Sequence, residues 1–285
     1  MSGVGVWFAK ITRMSIVGTV EKTIRRSGST IHYWLVGPED GRLVTFTPGA
    51  SMDHRMFDEQ VSVVASAGYC VLTWDVRGHG RSKPIGDSFS LEIVAGDLLA
   101  LMDEAGYRKA VHIGQSFGGF VAQEIARRHP ERVRALVLVG STSITMHYRR
   151  RDRWALKLTP PLFKLWPEED FKKRVAQNTA TKPGVQRYAY DATNALSKEE
   201  FLQVWKGVVR SLDEDEGYRI RQPLLLTHGE HDRAGNVAKV APEWAAREPD
   251  CRYEVIPDAG HNANQDNPDL FNRLLLEFLE QRAPA

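Results

Sequence analysis

A chain of 285 residues, 42% of them hydrophobic and 26% charged, has the length and composition of one large globular domain, or of one domain with a modest insertion. Lys and Arg number 38 against 36 Asp and Glu, so a net charge of +2 leaves no basic footprint for nucleic acid. No apolar run reaches the ~20 residues a membrane-spanning helix needs, and two cysteines, Cys70 and Cys251, without neighbours at metal-ligand spacing, point to a reducing, cytoplasmic setting rather than a disulfide framework.

Residues 1–13 carry a short apolar patch with no basic region ahead of it, which does not read as a signal peptide, and they stand as an appendage before Met14. Residues 15–21 and 30–36, rich in β-branched and aromatic side chains around Arg26-Ser27-Gly28, predict an opening β-hairpin. Apolar strands follow at 43–46, 70–74, 110–113, 135–139, 224–227 and 253–256. They are apolar on both faces, as a sheet covered by helices requires. Helical patterns lie between or after them, at 56–67, 90–104, 119–129, 239–248 and 269–281. Alternation of this kind predicts an α/β fold with a mostly parallel, doubly wound sheet.

The alternation breaks once, between residue 139 and residue 224. A stretch this long is no loop. Residues 144–218 therefore read as an inserted helical subdomain, with helix formers at 169–177 and 197–211, flanked by core segments 1–143 and 219–285. Two charge runs, Arg149 to Arg153 around Asp152 and Asp213 to Glu216, read as solvated surface.

The stretch HIGQSFGGF, residues 112–120, places Ser116 between the strand at 110–113 and a helix. A Gly-x-Ser-x-Gly pattern alone is weak, since it also describes a plain glycine-rich loop. Strand–turn–helix placement is what a nucleophile elbow needs, with Gly114 and Gly118 allowing strand and helix to approach. A serine hydroxyl then requires a base and a group to orient that base. Two late strands each end in candidates: His228-Gly229-Glu230-His231-Asp232 after one, Pro257-Asp258-Ala259-Gly260-His261 after the other. The chain order serine, acid, histidine assigns Ser116 as nucleophile, Asp232 as acid and His261 as base. Alternatives at this point are Glu230 as the acid, a metal cluster in His228–Asp232, and His261 as a structural histidine; Asp258 reads as a turn residue.

With these features in order, the chain resembles the α/β-hydrolase superfamily. The resemblance rests on Pro48-Gly49-Ala50, on Asp75-Val76-Arg77-Gly78-His79-Gly80-Arg81-Ser82, on the elbow at Ser116, on Gly229 with Asp232, and on Gly260-His261. It implies that the insertion is a helical cap, that Arg77 and Ser82 tie down the loop after the second parallel strand, and that no metal or organic cofactor takes part. It also implies an oxyanion hole formed by the backbone N–H groups of Ala50 and Phe117. Many relatives carry His-Gly where this chain has Pro48-Gly49, which removes hydrogen bonds from that turn but leaves the backbone donor. No chemistry attaches to Gln115.

Serine at the elbow argues against the haloalkane dehalogenases and epoxide hydrolases of the superfamily, which use aspartate there. Ester, lactone, thioester or amide hydrolysis remains, with cofactor-free carbon–carbon bond hydrolysis as the nearest alternative, perhydrolysis as a side activity, and a slow-turnover ligand receptor as a reading of another class. The expected partner is a small-molecule substrate, a carboxylic ester or lactone with an apolar or aromatic group, and neither nucleic acid nor membrane. Met52 and, from the insertion, Trp154, Leu158, Phe163 and Trp166 are candidates to line the pocket. His147 and Arg149 at the cap entrance are candidates to attract an anionic group.

Overall fold

The computed structural model describes residues 18–148 and 166–285; the appendage expected at 1–13 lies outside them. Eight strands form one sheet in the order β1-β2-β4-β3-β5-β6-β7-β8. Strands β1 (Val20–Arg26) and β2 (Ser29–Val36) make the expected hairpin; of the pattern at 15–21, residues 15–17 lie outside the described residues and Gly18 and Thr19 precede the strand. Ser27 and Gly28 lie at φ 43° and 78°, so the two-residue turn fixes the register, and seven residues pair on its N-terminal side. Strands β3 (Leu43–Thr47), β4 (Cys70–Trp74), β5 (Ala110–Gln115), β6 (Val133–Val139), β7 (Leu224–Gly229) and β8 (Cys251–Ile256) run parallel to their neighbours, while β2 pairs antiparallel with β4.

The continuous apolar runs serve two cores at once, because successive strand side chains point to opposite faces. In β6, Leu136 and Leu138 face helices α2 (Leu91–Glu104), α3 (Phe117–Arg128) and α7 (Val237–Arg247). Ala135, Val137 and Val139 face α1 (Asp58–Ser66) and α9 (Pro268–Arg282) on the other side. All five side chains are fully buried, and each such leucine or valine stabilises the fold by roughly 1.5–3 kcal/mol relative to an exposed one. Helix α2 starts one residue inside the predicted span, since Ser90 stays extended and its hydroxyl caps Ile93 N at 3.3 Å.

Between β6 and β7 lie α4 (Glu168–Thr179), α5 (Pro183–Asn194) and α6 (Lys198–Arg210). The first and third match the helix formers read from the sequence. Ser197 and Glu200 form a capping box at the start of α6. Helix α5 was not anticipated. Its sequence, PGVQRYAYDATN, is poor in strong helix formers, and it is held by burying Ala189, Ala192 and Thr193 on one stripe. Pro183 in its first turn was the available signal. A short helix, α8 (Ala263–Asp266), precedes α9.

Candidate active site

Ser116 stands at the end of β5, at φ 51° and ψ −113°, where a residue with a side chain is strained. The turn survives because its surroundings overdetermine it. Ser116 N donates to Val139 O at 2.8 Å, and Ser116 O accepts from Gly119 N at 2.9 Å and Ser141 Oγ at 3.0 Å. A Cβ on Gly114 would sit 2.2 Å from Gly118 C, and one on Gly118 would sit 2.0 Å from Thr47 O. Any side chain at either position would therefore force strand and helix apart and unmake the elbow. Helix α3 begins at Phe117, two residues before the predicted start, directly beneath the serine.

His261 follows β8. Its Nδ1 lies 2.9 Å from Asp232 Oδ2, and both side chains are nearly or fully buried. With the carboxylate ionised, Nδ1–H donates to it, which leaves Nε2 as the free lone pair. The other carboxylate oxygen, Oδ1, accepts from Ala234 N at 2.8 Å. The loops after β7 and β8 are laced by Glu230 N to Ile256 O and His231 N to Ala259 O, both 2.8 Å. Glu230 is exposed and takes Asp258 N at 3.3 Å, so the carboxylate on the imidazole is that of Asp232. Asp258 sits at φ 56°, a left-handed turn position.

The residues of His228–Asp232 do not converge as one metal cluster. His228 Nε2 turns to Tyr253 OH at 2.7 Å, and Asp232 turns to His261. Glu230, His231 and Asp258 do bring one ligand atom each within 4.8 Å of one another, all three on the exposed surface.

Ser116 and His261 open into one cavity of about 250 Å³, which Ala50, Met52 and Phe117 also line. Among the described residues no acceptor takes the N–H of Ala50 or of Phe117. The far wall is apolar and comes from Val175 of α4 and from Phe201, Trp205, Val208 and Val209 of α6, with Leu212 just beyond. Trp166 is a correction: it is 36% exposed and lies away from the cavity. Its neighbours in sequence, Pro167 and Glu168, start α4 on the outer surface, so an aromatic residue there meets solvent. His147, the candidate at the cap entrance, is exposed, with Nδ1 3.3 Å from Glu214 Oε2. Trp154, Leu158, Phe163 and Arg149 lie outside the described residues. Phe120 and Tyr148, which do line the cavity, escaped the sequence reading: one lies on a core helix, and the other lies at the start of the insertion, outside the apolar run at Trp154 to Trp166 from which pocket residues were drawn.

Gln115 is more than a neutral neighbour. Its Nε2 donates to His261 O at 3.1 Å and to Asn262 Oδ1 at 3.4 Å, which ties the elbow to the histidine loop. Arg77 is fully buried, with Nε and Nη2 on the two oxygens of Asp97 at 2.7 and 2.8 Å. Ser82 Oγ accepts from His32 N at 2.8 Å. Both thus fix the loop after β4.

A family model described as alpha/beta hydrolase fold matches residues 43–268. A non-heme chloroperoxidase of Streptomyces lividans is 28% identical, over 93% of this chain and 100% of that protein. The 2-hydroxy-6-oxononadienedioate/2-hydroxy-6-oxononatrienedioate hydrolase 1 of Dechloromonas aromatica (strain RCB) is 30% identical, over 81% of this chain and 83% of its own length. Among solved structures, the enol-lactonase from Burkholderia xenovorans LB400 superposes with a TM-score of 0.78 at 24% identity, covering 90% of this chain and 99% of that one.

Proposed function

The chain belongs to the α/β-hydrolase family of enzymes, and from that premise we propose that it is a serine hydrolase acting on a carboxylic ester or lactone with an apolar or aromatic group. The observation that carries this reading is the bond from His261 Nδ1 to Asp232 Oδ2 at 2.9 Å, on the same cavity as a serine held at φ 51°. Ser116 Oγ attacks the substrate carbonyl while His261 Nε2 takes its proton. Asp232 stabilises the resulting imidazolium and holds the tautomer. The N–H groups of Ala50 and Phe117 receive the tetrahedral oxyanion, the kind of preorganised contact worth roughly 3–4 kcal/mol per donor. His261 then protonates the leaving oxygen, the C–O bond breaks, and an acyl-enzyme forms. Water, deprotonated by His261, attacks the acyl carbon and releases Ser116.

The apolar wall from α4 and α6 favours an uncharged substrate group. The relative from Dechloromonas aromatica motivates a second reading, hydrolysis of a carbon–carbon bond. Its named substrates are dicarboxylates, however, and among the described residues no lysine or arginine lines the cavity. Perhydrolysis fits the chloroperoxidase name of the Streptomyces lividans relative: hydrogen peroxide in place of water would release a peracid from the same acyl-enzyme. The two cysteines are free, in keeping with a cytoplasmic enzyme.

The test is hydrolysis of short and medium p-nitrophenyl esters and an aromatic lactone, parent beside Ser116→Ala, with fluorophosphonate labelling of both. Turnover should fall by at least about a thousandfold in the variant, and its labelling should vanish. A Ser116→Ala enzyme as active as the parent would overturn the assignment. Labelling of the parent without ester or lactone turnover would move the reading to carbon–carbon substrates or to a ligand receptor.

A further inference from the structure

The turn after β3 is sharply folded. Met52 N donates to Gly49 O at 3.1 Å, and Ser51 sits at φ 67°, in the left-handed region. Pro48 offers neither an N–H nor a polar side chain, so the turn has little to hold itself with on that side. Its side-chain anchors come from the insertion instead, from helix α5. Ser51 Oγ bonds Thr193 Oγ1 at 3.1 Å, and both residues are 1% exposed. Tyr188 OH accepts from Asp53 N at 3.2 Å and lies 3.1 Å from Asp53 O, to which it donates. Arg55 clamps the Asp53 carboxylate and lays its guanidinium 5.6 Å from the centre of the Tyr188 ring.

Helix α5 is itself fixed to the core at its start. The buried Asp266 carboxylate accepts from Thr181 N at 2.8 Å, Lys182 N at 3.0 Å and Gly260 N at 2.8 Å. Gly260 directly precedes His261. One helix is thus tied at its first turn to the histidine loop and further along to the turn that carries Ala50. Two hydrogen-bonded contacts within three residues of that turn leave it little freedom to rotate.

Resting on the acyl-transfer reading above, we propose that Tyr188 and Thr193 are positioning residues: they fix residues 49–53 so that Ala50 N–H faces the oxyanion formed at Ser116. Neither touches the reacting atoms. Each acts through the backbone of the turn, where a small rotation would misalign a donor that is useful only in one direction. The insertion therefore completes the reaction centre as well as covering it.

The experiment measures the rate constant for phosphonylation of Ser116 by an alkyl fluorophosphonate in the full chain. This reaction needs no knowledge of the natural substrate. The Ser116 Oγ–P bond forms, the P–F bond breaks, fluoride leaves, the serine proton passes to His261, and charge develops on the phosphoryl oxygen facing the same donors. Tyr188→Phe and Thr193→Val should each slow labelling about tenfold or more while the melting temperature stays near that of the parent. Thr193→Ser, which keeps the hydroxyl, should label at the parent rate. Ser51→Ala combined with Thr193→Val should be no slower than either alone, since both delete one contact. Parent-rate labelling of Tyr188→Phe and Thr193→Val would overturn the proposal. So would slowing that tracks a fallen melting temperature, with Thr193→Ser as slow as Thr193→Val. Should Thr193→Val not fold, Tyr188→Phe and Ser51→Ala carry the same test. A parent chain that does not label, or a Ser116→Ala chain that does, would instead sink the acyl-transfer reading, and this inference with it.

Discussion

A carboxylate and an imidazole 2.9 Å apart decide which ring nitrogen of His261 carries the proton. In the Asp232→Asn variant the side-chain amide has a donor where the aspartate had only acceptors, so the imidazole loses both its orientation and the partner for its positive charge. Under the proposed acyl-transfer mechanism, ester hydrolysis should fall by about 10³–10⁴-fold, with the melting temperature little changed. A variant within tenfold of the parent would remove Asp232 from the mechanism. The residue scale is also where single side chains acquire roles that composition hides. Gln115 binds two atoms of the histidine loop, yet nothing in the string GQS distinguishes that glutamine from a solvated one.

At the scale of elements, one buried ion pair joins three of them. Arg77, in the loop after β4, grips Asp97 of α2 with two bonds and reaches Arg26 O and Ser27 O of the hairpin turn at 3.4 and 3.5 Å. Among the described residues, replacing Arg77 leaves the buried Asp97 carboxylate with only the partly exposed Arg26 Nε, at 3.5 Å, as counter-ion. Arg77→Met should therefore cost about 3–5 kcal/mol in urea unfolding, and the double variant Arg77→Met, Asp97→Leu should recover much of that loss. If the double variant is as unstable as the sum of the two singles, the pair is not what holds the loop. The strands and core helices were legible to within a few residues because buried apolar runs of this length have few other destinations. Helix α5 was not, because its stability comes from packing Ala189, Ala192 and Thr193 rather than from propensity.

Across the whole molecule, two fully buried histidines contribute to the response to acid. Burial drives the His112 pKa from its ordinary 6.5 down to about 4, and Thr45 Oγ1 lies 2.9 Å from its Nδ1. Burial lowers His79 in the same direction. The folded state binds the proton more weakly than the unfolded chain, so the unfolded chain takes up protons first as the pH drops. The neutral-histidine contribution is complete above pH 6.5 and is lost progressively as the pH falls towards about 4, up to about 3 kcal/mol for His112. Urea midpoints measured from pH 7 to pH 4 should decline, and His112→Gln should show a shallower decline. An equal slope in the variant would mean that other groups dominate the acid response.

Local pattern in the chain was enough for the sheet and the alternation of strands and helices, for a long break in that alternation, and for a serine, an acid and a histidine as candidates in that chain order, with the acid open between Asp232 and Glu230. These depend on local pattern: apolar runs set by burial on two faces, glycines at a turn that no side chain could occupy, polar residues just past strand ends. Packing in three dimensions was needed to show which carboxylate meets His261, that Trp166 is not among the residues lining the cavity, and that Phe120, Tyr148 and α6 line it. It alone joined Tyr188 to Asp53 across 135 positions and Thr193 to Ser51 across 142. A contact at that separation leaves no periodic trace in the chain, because it is fixed by how helices pack on the sheet and not by the residues on either side of it.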